Sequence, residues 1–366
     1  MTGKRNIILW PLSIIYGLIT GLRNFLYDSG VLKSHEFRLP VICVGNITIG
    51  GTGKTPHCAY LLDLLKDRFK VALLSRGYRR KTQGFAMAGP GSGPKDIGDE
   101  PAELFDRFRD VTIAVDSNRV RGIQNMLQVK PDLEVIILDD GFQHRRVTPG
   151  LSILLTDYSR LMIHDYLLPY GELRESLGNI SRADIILVTK CPPDLSPIQR
   201  RIVVKDMKKA AYQNLYFTTY KYGKPLPVFR NIRYPAENEN SLEPDKIAGV
   251  LVLTGIANPA PLNEYVETMF HETRKLNYPD HHMFTEDDIN RIIAETGKLP
   301  EGRRLVLTTA KDAVRLRETE EKIPEELKKL LYYIPVQVDF LNDDKEEFNR
   351  LITEYVRKNK RNNRIS

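Results

Sequence analysis

A glycine-rich turn lies directly between an apolar strand and a helix in this chain, and few folds accommodate that order of elements. Residues 41–56 read VICVGNITIGGTGKTP, so an apolar run leads into a turn with three glycines, a lysine and two threonines. Glycines let backbone N–H groups turn toward phosphate, and the N-terminus of the following helix adds partial positive charge. The usual pattern G-x-x-x-x-G-K-[ST] has glycine where this chain has Thr48. Strand, turn and helix together still predict a phosphate-binding loop.

The residues of this loop have defined roles if a nucleoside triphosphate binds. Lys54 would reach the β- and γ-phosphates, and the Thr55 hydroxyl would hold Mg²⁺. A partner acid is expected at the end of the strand VIILD, where Asp139 takes the place of a Walker-B aspartate. Aspartate at a strand end is also a common turn former, but the adjacent Asp140 and the nearby His144 favour the metal. The predicted nucleotide-binding residues are Thr48, Ile49, Gly50, Gly51, Thr52, Gly53, Lys54 and Thr55.

The rest of the chain predicts an α/β protein. Short apolar strands at residues 41–44, 71–75, 111–115, 135–139, 152–156 and 185–189 alternate with segments of helical length. Such alternation is typical of a mainly parallel sheet with helices on both faces, as in P-loop NTPases, with ligands at the carboxyl ends of the strands. Further strands are expected at residues 250–254, 304–309 and 334–340. The predicted units are an amino-terminal helix (1–28), a P-loop domain (29–214), a β-ribbon linker (215–246) and a second, smaller α/β domain (247–366).

Composition excludes several classes of protein. The 366 residues are 42% hydrophobic and 28% charged, the balance of a globular chain rather than a disordered or polytopic membrane one. Lys and Arg number 54 against 47 Asp and Glu, and the net charge of +7 favours anionic partners. These cations are dispersed rather than gathered in an aromatic-laced stripe, so nucleic acid is not an expected partner. Three scattered cysteines indicate reduced thiols in a cytoplasmic protein.

The amino terminus raises the question of a membrane. Residues 6–22, NIILWPLSIIYGLITGL, form an uncharged run of 17 residues between cationic flanks. Crossing a bilayer usually takes ~20 apolar residues, so this run is at the lower limit. A signal peptide and a helix packed on the protein's own core are competing interpretations. Because the run is apolar nearly all round, we favour a helix at the membrane interface, with Trp10 and Tyr16 at headgroup level.

Six motifs follow one another along the chain: GNITIGGTGKTP (45–56), SRGY (75–78), GDEP (98–101), LDDGFQH (138–144), PYGELRE (169–175) and YPDHHMF (278–284). Together they resemble the tetraacyldisaccharide 4'-kinase family, which phosphorylates a lipid A precursor. The resemblance implies ATP and Mg²⁺, with transfer of the γ-phosphate to the 4'-hydroxyl of a tetraacyldisaccharide 1-phosphate, a glycolipid. It also implies a protein held peripherally or monotopically at the cytoplasmic face of the bacterial inner membrane.

The resemblance assigns roles that the residues alone leave open. Without the resemblance, Asp99 and Glu100 are interpreted as the cap of a helix, because Asp is a favourable cap residue and Pro101 suits an early helical position. By resemblance, Asp99 is the base for the sugar hydroxyl and Glu100 is an acid of the metal site, beside Thr55 and Asp139.

Two further residues are treated in the same way. Without the resemblance, His281 is interpreted as one of two solvated histidines in a loop. The resemblance instead implies that it is the partner of Asp99 across the domain cleft. Arg174 reads as a surface arginine paired with Glu175, whereas the family places it on charge developing in the transferred phosphoryl group. Residues 188–190 (VTK) and 308–315 (TTAKDAVR) are predicted to be ordinary strand-to-helix loops.

A function from a different class also fits the loop. A P-loop switch or assembly ATPase could use nucleotide to dock a protein partner at the membrane, and the basic charge and apolar terminus suit it equally well. The GDEP and DHH motifs favour the kinase, because a switch needs no groups that activate an acceptor hydroxyl.

Overall fold

The structure, a computed structural model, describes residues 6–229, 231–232 and 242–365, with the backbone alone for 360–365. In these ranges the strands are β1 (His35–Glu36), β2 (Val41–Gly45), β3 (Val71–Ser75), β4 (Ala86–Met87), β5 (Thr112–Val115), β6 (Val135–Asp139), β7 (Val147–Thr148), β8 (Leu151–Asp157), β9 (Ile185–Thr189), β10 (Asn214–Tyr222), β11 (Leu226–Pro227), β12 (Gly249–Thr254), β13 (Thr273–Asn277), β14 (Arg304–Thr309), β15 (Leu331–Ile334) and β16 (Val336–Phe340). The α-helices are α1 (Trp10–Asp28), α2 (Lys54–Leu65), α3 (Pro94–Ile97), α4 (Asp99–Arg107), α5 (Arg119–Val129), α6 (Pro197–Met207), α7 (Ala260–Met269), α8 (Glu286–Gly297), α9 (Ala310–Arg317), α10 (Glu325–Lys328) and α11 (Asp344–Ile365).

The larger sheet positions the predicted phosphate-binding loop. Among the described residues its nine strands run in the order β16-β10-β9-β8-β2-β6-β3-β5-β4, parallel except for the β10–β16 and β4–β5 pairs. All six strands predicted for the P-loop domain are in it. β2 and β6 are buried along their whole length because helices cover both faces, and they pair so that Val44 lies beside Asp139. The ends of β2 and β6 therefore meet at one edge of the sheet.

The smaller sheet has the order β11-β15-β14-β12-β13 in the described residues, with only the β11–β15 pair antiparallel. Alternate residues of β12 share one face of this sheet: Leu251 and Leu253 pack with Ile289 and Ile292 of α8 in one core. We call this sheet and its helices the smaller unit, and the nine-stranded sheet with its helices the larger unit.

One predicted boundary that differs from the structure is the linker at residues 215–246, expected as a two-stranded ribbon. β10 instead pairs with β9 and β16 in the larger sheet, and β11 pairs with β15 in the smaller one. The physical reason is burial, because Phe217 of β10 lies fully inside the core of the larger unit. Residue 230 and residues 233–241 of the predicted linker lie outside the described residues.

The carboxyl-terminal boundary differs as well. The single strand expected at 334–340 is split at Pro335, with β15 in the smaller sheet and β16 in the larger. Proline has no N–H to donate to a ladder, which suits a point where the chain changes sheets. α11 then buries Phe348 and Ile352 in the core of the larger unit. The smaller unit is therefore an insertion between β10 and β16, and the end of the predicted 247–366 domain belongs to the larger unit.

The amino-terminal helix turns its polar side to the protein and its apolar side outward. Ser13 Oγ donates to the Leu167 carbonyl at 2.7 Å, and Asn24 Nδ2 donates to Asn179 Oδ1 at 3.1 Å. The exposed apolar residues are Ile7, Ile8, Trp10, Leu12, Ile14, Ile15, Leu18, Ile19, Leu22 and Phe25. The alternative of a helix packed on the protein's core is therefore wrong. By length and composition alone, Ile7–Asp28 could cross a membrane.

Candidate active site

The loop between β2 and α2 has the backbone of a phosphate-binding turn. α2 begins at Lys54, and the residues with positive φ before it are Gly50 at +100° and Gly53 at +90°. A Cβ at Gly53 would lie 2.1 Å from the Tyr220 hydroxyl oxygen, so this position requires glycine in both conformation and space. The partial positive charge of the α2 N-terminus is thereby brought to the loop.

Side chains from outside the loop donate hydrogen bonds to its carbonyl oxygens, which therefore point away from the space that the loop encloses. The donors are Arg160 Nη2 to Ile49 at 2.6 Å, Lys190 Nζ to Gly51, Thr189 Oγ1 to Thr52 at 2.8 Å and His57 Nδ1 to Gly53 at 2.7 Å. Burial lowers the pKa of His57 to about 4, so its ring is neutral at physiological pH. Because C=O and N–H point in opposite directions across a planar peptide, turning carbonyls outward turns N–H groups inward. The loop thus fits an anion.

Lys54 stands over this cradle between two oxygen ligands. Its Nζ lies 3.3 Å from Asn46 Oδ1 and 3.4 Å from Asp140 Oδ1. Thr55, the next residue, is buried, and so is Thr52, whose hydroxyl oxygen has no hydrogen-bond partner in the described structure. A buried hydroxyl without a partner, a lysine and inward N–H groups are what a polyphosphate would satisfy.

The carboxylates of Asp139, Asp140 and Glu100 lie close enough beside the loop for their charges to interact. Asp139, at the end of β6, is 1% exposed and accepts a hydrogen bond from Ser75 Oγ at 2.9 Å. Burial, and then the negative charges of Glu100 and Asp140, raise the pKa of Asp139 to about 6. Buried like charges of this kind are stabilised by a hard divalent cation, and carboxylate and hydroxyl oxygens are the ligands that Mg²⁺ prefers. The predicted metal-binding residues Thr55, Asp139 and Glu100 therefore fit Mg²⁺ in their chemistry.

A second set of polar side chains joins the two units. Asp99, the first residue of α4, accepts from His281 Nδ1 at 2.6 Å, and Arg315 donates to the same carboxylate. Burial alone raises the pKa of Asp99, but the hydrogen bonds from His281 and Arg315 outweigh it and bring the pKa to about 2. Gly98, not Asp99, holds the cap position of α4, so the capping interpretation does not describe Asp99. Asp99 is an ionised carboxylate aimed at the other unit.

Arg174 contacts the same carboxylate as Lys54, that of Asp140. Its Nη1 is 3.3 Å from Asp140 Oδ2, and Tyr16 of α1 donates to its carbonyl at 2.9 Å. The alternative pairing with Glu175 is wrong, because Glu175 is buried and paired with Arg182. Lys54 and Arg174 thus bring two cations to one carboxylate next to the loop.

A basic cavity opens between α1 and the loop after β6. Its volume is about 350 Å³, and its lining includes Arg23, Arg119, His144, Arg145 and Arg146. Burial, followed by the charges of neighbouring arginines, lowers the pKa of His144 to about 4, so the cavity's positive charge comes from the arginines. The cavity suits an anionic group on a ligand that reaches the site from the side of α1.

Comparison with known proteins identifies the family. The sequence profile described as tetraacyldisaccharide-1-P 4'-kinase matches residues 5–357. The chain is 46% identical to the tetraacyldisaccharide 4'-kinase of Bacteroides thetaiotaomicron over 362 residues, covering 98% of this chain and 95% of that one. It is 48% identical to the enzyme of the same name from Phocaeicola vulgatus over 366 residues, covering 99% and 98%. The chain belongs to the tetraacyldisaccharide 4'-kinase family.

The fold comparison agrees with this assignment. The crystal structure of LpxK from Aquifex aeolicus in complex with ATP matches with a TM-score of 0.72 and 28% identity, over 95% of this chain and 98% of that chain. The resemblance to the tetraacyldisaccharide 4'-kinase family predicted from the six motifs is thus confirmed. So are the P-loop α/β fold class and the class of enzyme, an ATP-dependent kinase that acts on a hydroxyl group.

The two loops predicted to be ordinary strand-to-helix loops, at residues 188–190 and 308–315, carry residues that contact the site. Lys190, in the first, reaches the phosphate loop at Gly51 and pairs with Asp157 at 2.7 Å. In the second, Lys311 Nζ lies 2.7 Å from Glu100 Oε1, and Arg315 meets Asp99. The available signal was position: both loops follow strands of parallel sheets, where ligands bind.

The two adjacent histidines of the second unit separate in the structure. His281, with a φ of +64°, points to Asp99, whereas His282 Nε2 lies 2.8 Å from Asp288 Oδ2 and its ring stacks on Tyr278 at 4.4 Å. The solvated-pair interpretation therefore describes neither histidine. His282 holds the start of α8, where Asp288 also closes a capping box with Thr285.

Proposed function

We propose that this chain transfers the γ-phosphate of ATP to the 4'-hydroxyl of a tetraacyldisaccharide 1-phosphate, in lipid A biosynthesis. The observation that carries the proposal is the 2.6 Å hydrogen bond between Asp99 and His281, which joins the two units next to Glu100, whose charge acts on Asp139 at the end of β6. A P-loop that only switches has no use for an ionised carboxylate held by a histidine at its side. A kinase that must take a proton from a sugar hydroxyl does.

The loop residues bind and orient the triphosphate. The Thr52 N–H donates to the Gly50 carbonyl at 3.0 Å, so the N–H groups of the other residues in 50–55 and the N-terminus of α2 would hold the phosphate oxygens. Lys54 would neutralise charge on the β- and γ-phosphates. Thr55, Asp139 and Glu100 would hold Mg²⁺, which when bound would supply positive charge that stabilises the negative charge of the phosphates. Lys54 is held near Asp140 and Asn46, so its ammonium is positioned before the nucleotide arrives.

Asp99 accepts the proton of the acceptor hydroxyl. The acceptor oxygen forms its bond to the γ-phosphorus, the bond from that phosphorus to the bridging oxygen breaks, and ADP leaves with the electron pair. Since Asp99 is ionised at all physiological pH values, it is always able to accept a hydrogen bond from the hydroxyl. His281 orients the carboxylate and shares the proton once it has moved. Arg174, beside Asp140, stabilises charge on the transferred phosphoryl group.

The basic cavity is the proposed site for the acceptor's own phosphate. It adjoins α1 and the end of β6, so a lipid that enters along the helix would meet arginines before its sugar reaches Asp99. A guanidinium group can donate two parallel hydrogen bonds to the oxygens of one phosphate, in a fixed geometry.

Changing one arginine of this cavity tests the acceptor assignment. Arg146 is exposed in the cavity wall, and Arg146→Ala is expected to raise the KM for the glycolipid about tenfold, the effect of losing one charge-assisted hydrogen bond. The KM for ATP should stay within about twofold of the wild-type value. Arg201→Ala, an exposed arginine on α6, is the matched control and should change neither constant. An equal rise for both substrates, or none, contradicts the placement.

The outward apolar side of α1 is the proposed membrane contact. Eight exposed apolar residues on α1 and two just before it, with polar contacts on the side that meets the protein, suit insertion into the interface of a bilayer. Arg23 at the end of the apolar run adds attraction to anionic headgroups. The cytoplasmic face of the inner membrane is where ATP and the lipid acceptor would both be accessible.

Deleting residues 1–24 should move the protein from the membrane to the soluble fraction. Turnover on a detergent-dispersed, short-chain acceptor should persist in part, because the loop and Asp99 lie outside the deleted segment. Cosedimentation with anionic vesicles measures the first effect, and a kinase assay measures the second. If the full-length protein resists extraction by high salt and alkali, α1 spans the bilayer and the interfacial placement is wrong.

ATP consumption with and without the glycolipid separates the kinase from the switch ATPase. The kinase predicts that consumption depends strongly on the acceptor. Stimulation by a protein partner alone, with no effect of the glycolipid, would favour the switch.

A further inference from the structure

We propose that Arg315 is a positioning residue of the reaction, which fixes one oxygen of Asp99 so that the other oxygen faces the acceptor hydroxyl. This inference rests on the assignment of Asp99 as base in the proposed function. Arg315 lies on α9 of the smaller unit, and its side chain is 0% exposed. Burying a guanidinium completely is costly unless every donor is used, so its contacts are informative.

The guanidinium of Arg315 spans the boundary between the two units. Nη1 donates to the Gly255 carbonyl and to Asp312 Oδ1, both at 2.8 Å and both in the smaller unit. On the other side, Nε and Nη2 donate to Asp99 Oδ2 at 3.2 and 2.6 Å. Because the guanidinium is planar and its donors form a rigid fork, the contacts to Gly255 and Asp312 set the direction from which Asp99 is approached.

All the hydrogen bonds that Arg315 and His281 make to Asp99 fall on one oxygen of its carboxylate. Asp99 Oδ2 accepts from Arg315 Nε, Arg315 Nη2 and His281 Nδ1, whereas Oδ1 makes no hydrogen bond among the described residues. Rotation about the Cβ–Cγ bond of Asp99 would break all three bonds at once. Oδ1 is therefore held in place with its lone pairs available, which is the requirement for a base that must meet a hydroxyl at hydrogen-bond distance.

His281 alone would not fix Asp99 as firmly. A single bond from Nδ1 leaves the carboxylate free to turn about that bond, and His281 sits on a loop with a φ of +64°. Arg315 Nη2 also lies 3.3 Å from His281 Nδ1, so the guanidinium packs against the imidazole as well as the carboxylate. Removing Arg315 should therefore disturb the proton-transfer step and leave the ATP-binding loop unchanged.

The test is a double-mutant cycle on kcat with saturating glycolipid. Arg315→Gln is expected to lower kcat ~10–100-fold, as loss of a residue that orients a functional group typically does, with the KM for ATP within about twofold of wild type. In an Asp99→Asn background the same change should cost less than about threefold. Equal losses from Arg315→Gln in both backgrounds, or a kcat within about threefold of wild type, overturn the proposal.

Two further variants separate positioning from folding. Arg315→Gln leaves Asp312 buried without its cation, so Arg315→Gln/Asp312→Asn removes both charges and should fold while keeping the low kcat. Arg317→Gln is the matched control: Arg317 lies on the same helix and pairs with Asp106 of the larger unit at 2.8 Å, so this change breaks a contact between the two units without touching Asp99. It should lower the melting temperature and leave kcat within about threefold of wild type. A kcat for Arg317→Gln as low as that of Arg315→Gln means that the effect is structural, which contradicts the proposal.

Methylguanidinium supplies a rescue experiment. Added to Arg315→Ala/Asp312→Asn, it should raise kcat several-fold and saturably, and it should have no effect when Asp99→Asn is also present. Absence of rescue in a folded variant counts against the proposal. If Asp99→Asn by itself keeps the wild-type kcat, the base assignment fails and this inference fails with it. A low kcat in Asp99→Asn with independent losses at Arg315 overturns this inference alone.

Discussion

Lys54→Ala is expected to lower kcat by ~10³-fold or more while the protein stays folded. Phosphoryl transfer depends almost wholly on positioning and charge, and Lys54 is the cation that the loop presents to the β- and γ-phosphates. Its ammonium contacts Asn46 and Asp140, so the change removes polar contacts of the site rather than contacts of the apolar core. Thr55→Ala should lower kcat by a similar factor at limiting Mg²⁺, and less when Mg²⁺ is in excess.

The matched control is Lys66→Ala, at the other end of α2. Lys66 pairs with Asp63 in a surface ion pair at 3.3 Å, so its loss should change activity and stability very little. Steady-state kinetics with ATP varied, and a nucleotide-binding measurement on each variant, separate kcat from affinity. Near-normal activity of Lys54→Ala with unchanged ATP affinity would remove the phosphate-loop assignment.

Asp99→Ala and His281→Ala are each expected to lower kcat ~10²–10⁴-fold with little change in ATP affinity. The 2.6 Å bond between them makes them one unit, so the double variant should be barely worse than either single variant. Asp99 and His281 come together only where the larger and smaller units meet, and this arrangement also keeps water from the γ-phosphate. The measurement is a double-mutant cycle on kcat with saturating acceptor.

His282→Ala is the control for this cycle. It removes the neighbouring histidine, whose contacts are to Asp288 and Tyr278, and kcat should stay within about threefold of wild type. Multiplicative losses from Asp99→Ala and His281→Ala would show that the two residues act independently. Wild-type activity in His281→Ala would end its role in the reaction.

Local sequence patterns predict the larger sheet and the loop well. The six strands of the P-loop domain are apolar throughout because they are buried on both faces, and that pattern can be read directly. The turn at residues 50–55 is predictable because positive φ at Gly50 and Gly53 and a following helix are all local properties. Family motifs extended the prediction to Asp99 and His281, which are 182 positions apart in the sequence.

What the sequence did not reveal depends on long-range packing. The return of β16 and α11 to the larger sheet cannot be read from residues 334–365, since an apolar strand fits either sheet. The same limit applies to Arg315: a basic residue after a strand reads as a solvated cation until the fold buries it against Asp99. Likewise, the orientation of α1 follows from Ser13 and Asn24 meeting residues 167–179, contacts that no periodicity encodes.

The position of the phosphate on the product distinguishes transfer to the 4'-hydroxyl from any other use of ATP by this protein. The purified protein is incubated with ATP labelled in the γ-phosphate, Mg²⁺ and a tetraacyldisaccharide 1-phosphate, with Lys54→Ala as the inactive control. Mass spectrometry and phosphorus NMR of the recovered lipid then locate the added group. We expect one new phosphate monoester on the 4'-oxygen, formed in proportion to the ATP consumed and absent with Lys54→Ala. Label released as free phosphate without any phosphorylated lipid, or attached at another position, would contradict the account.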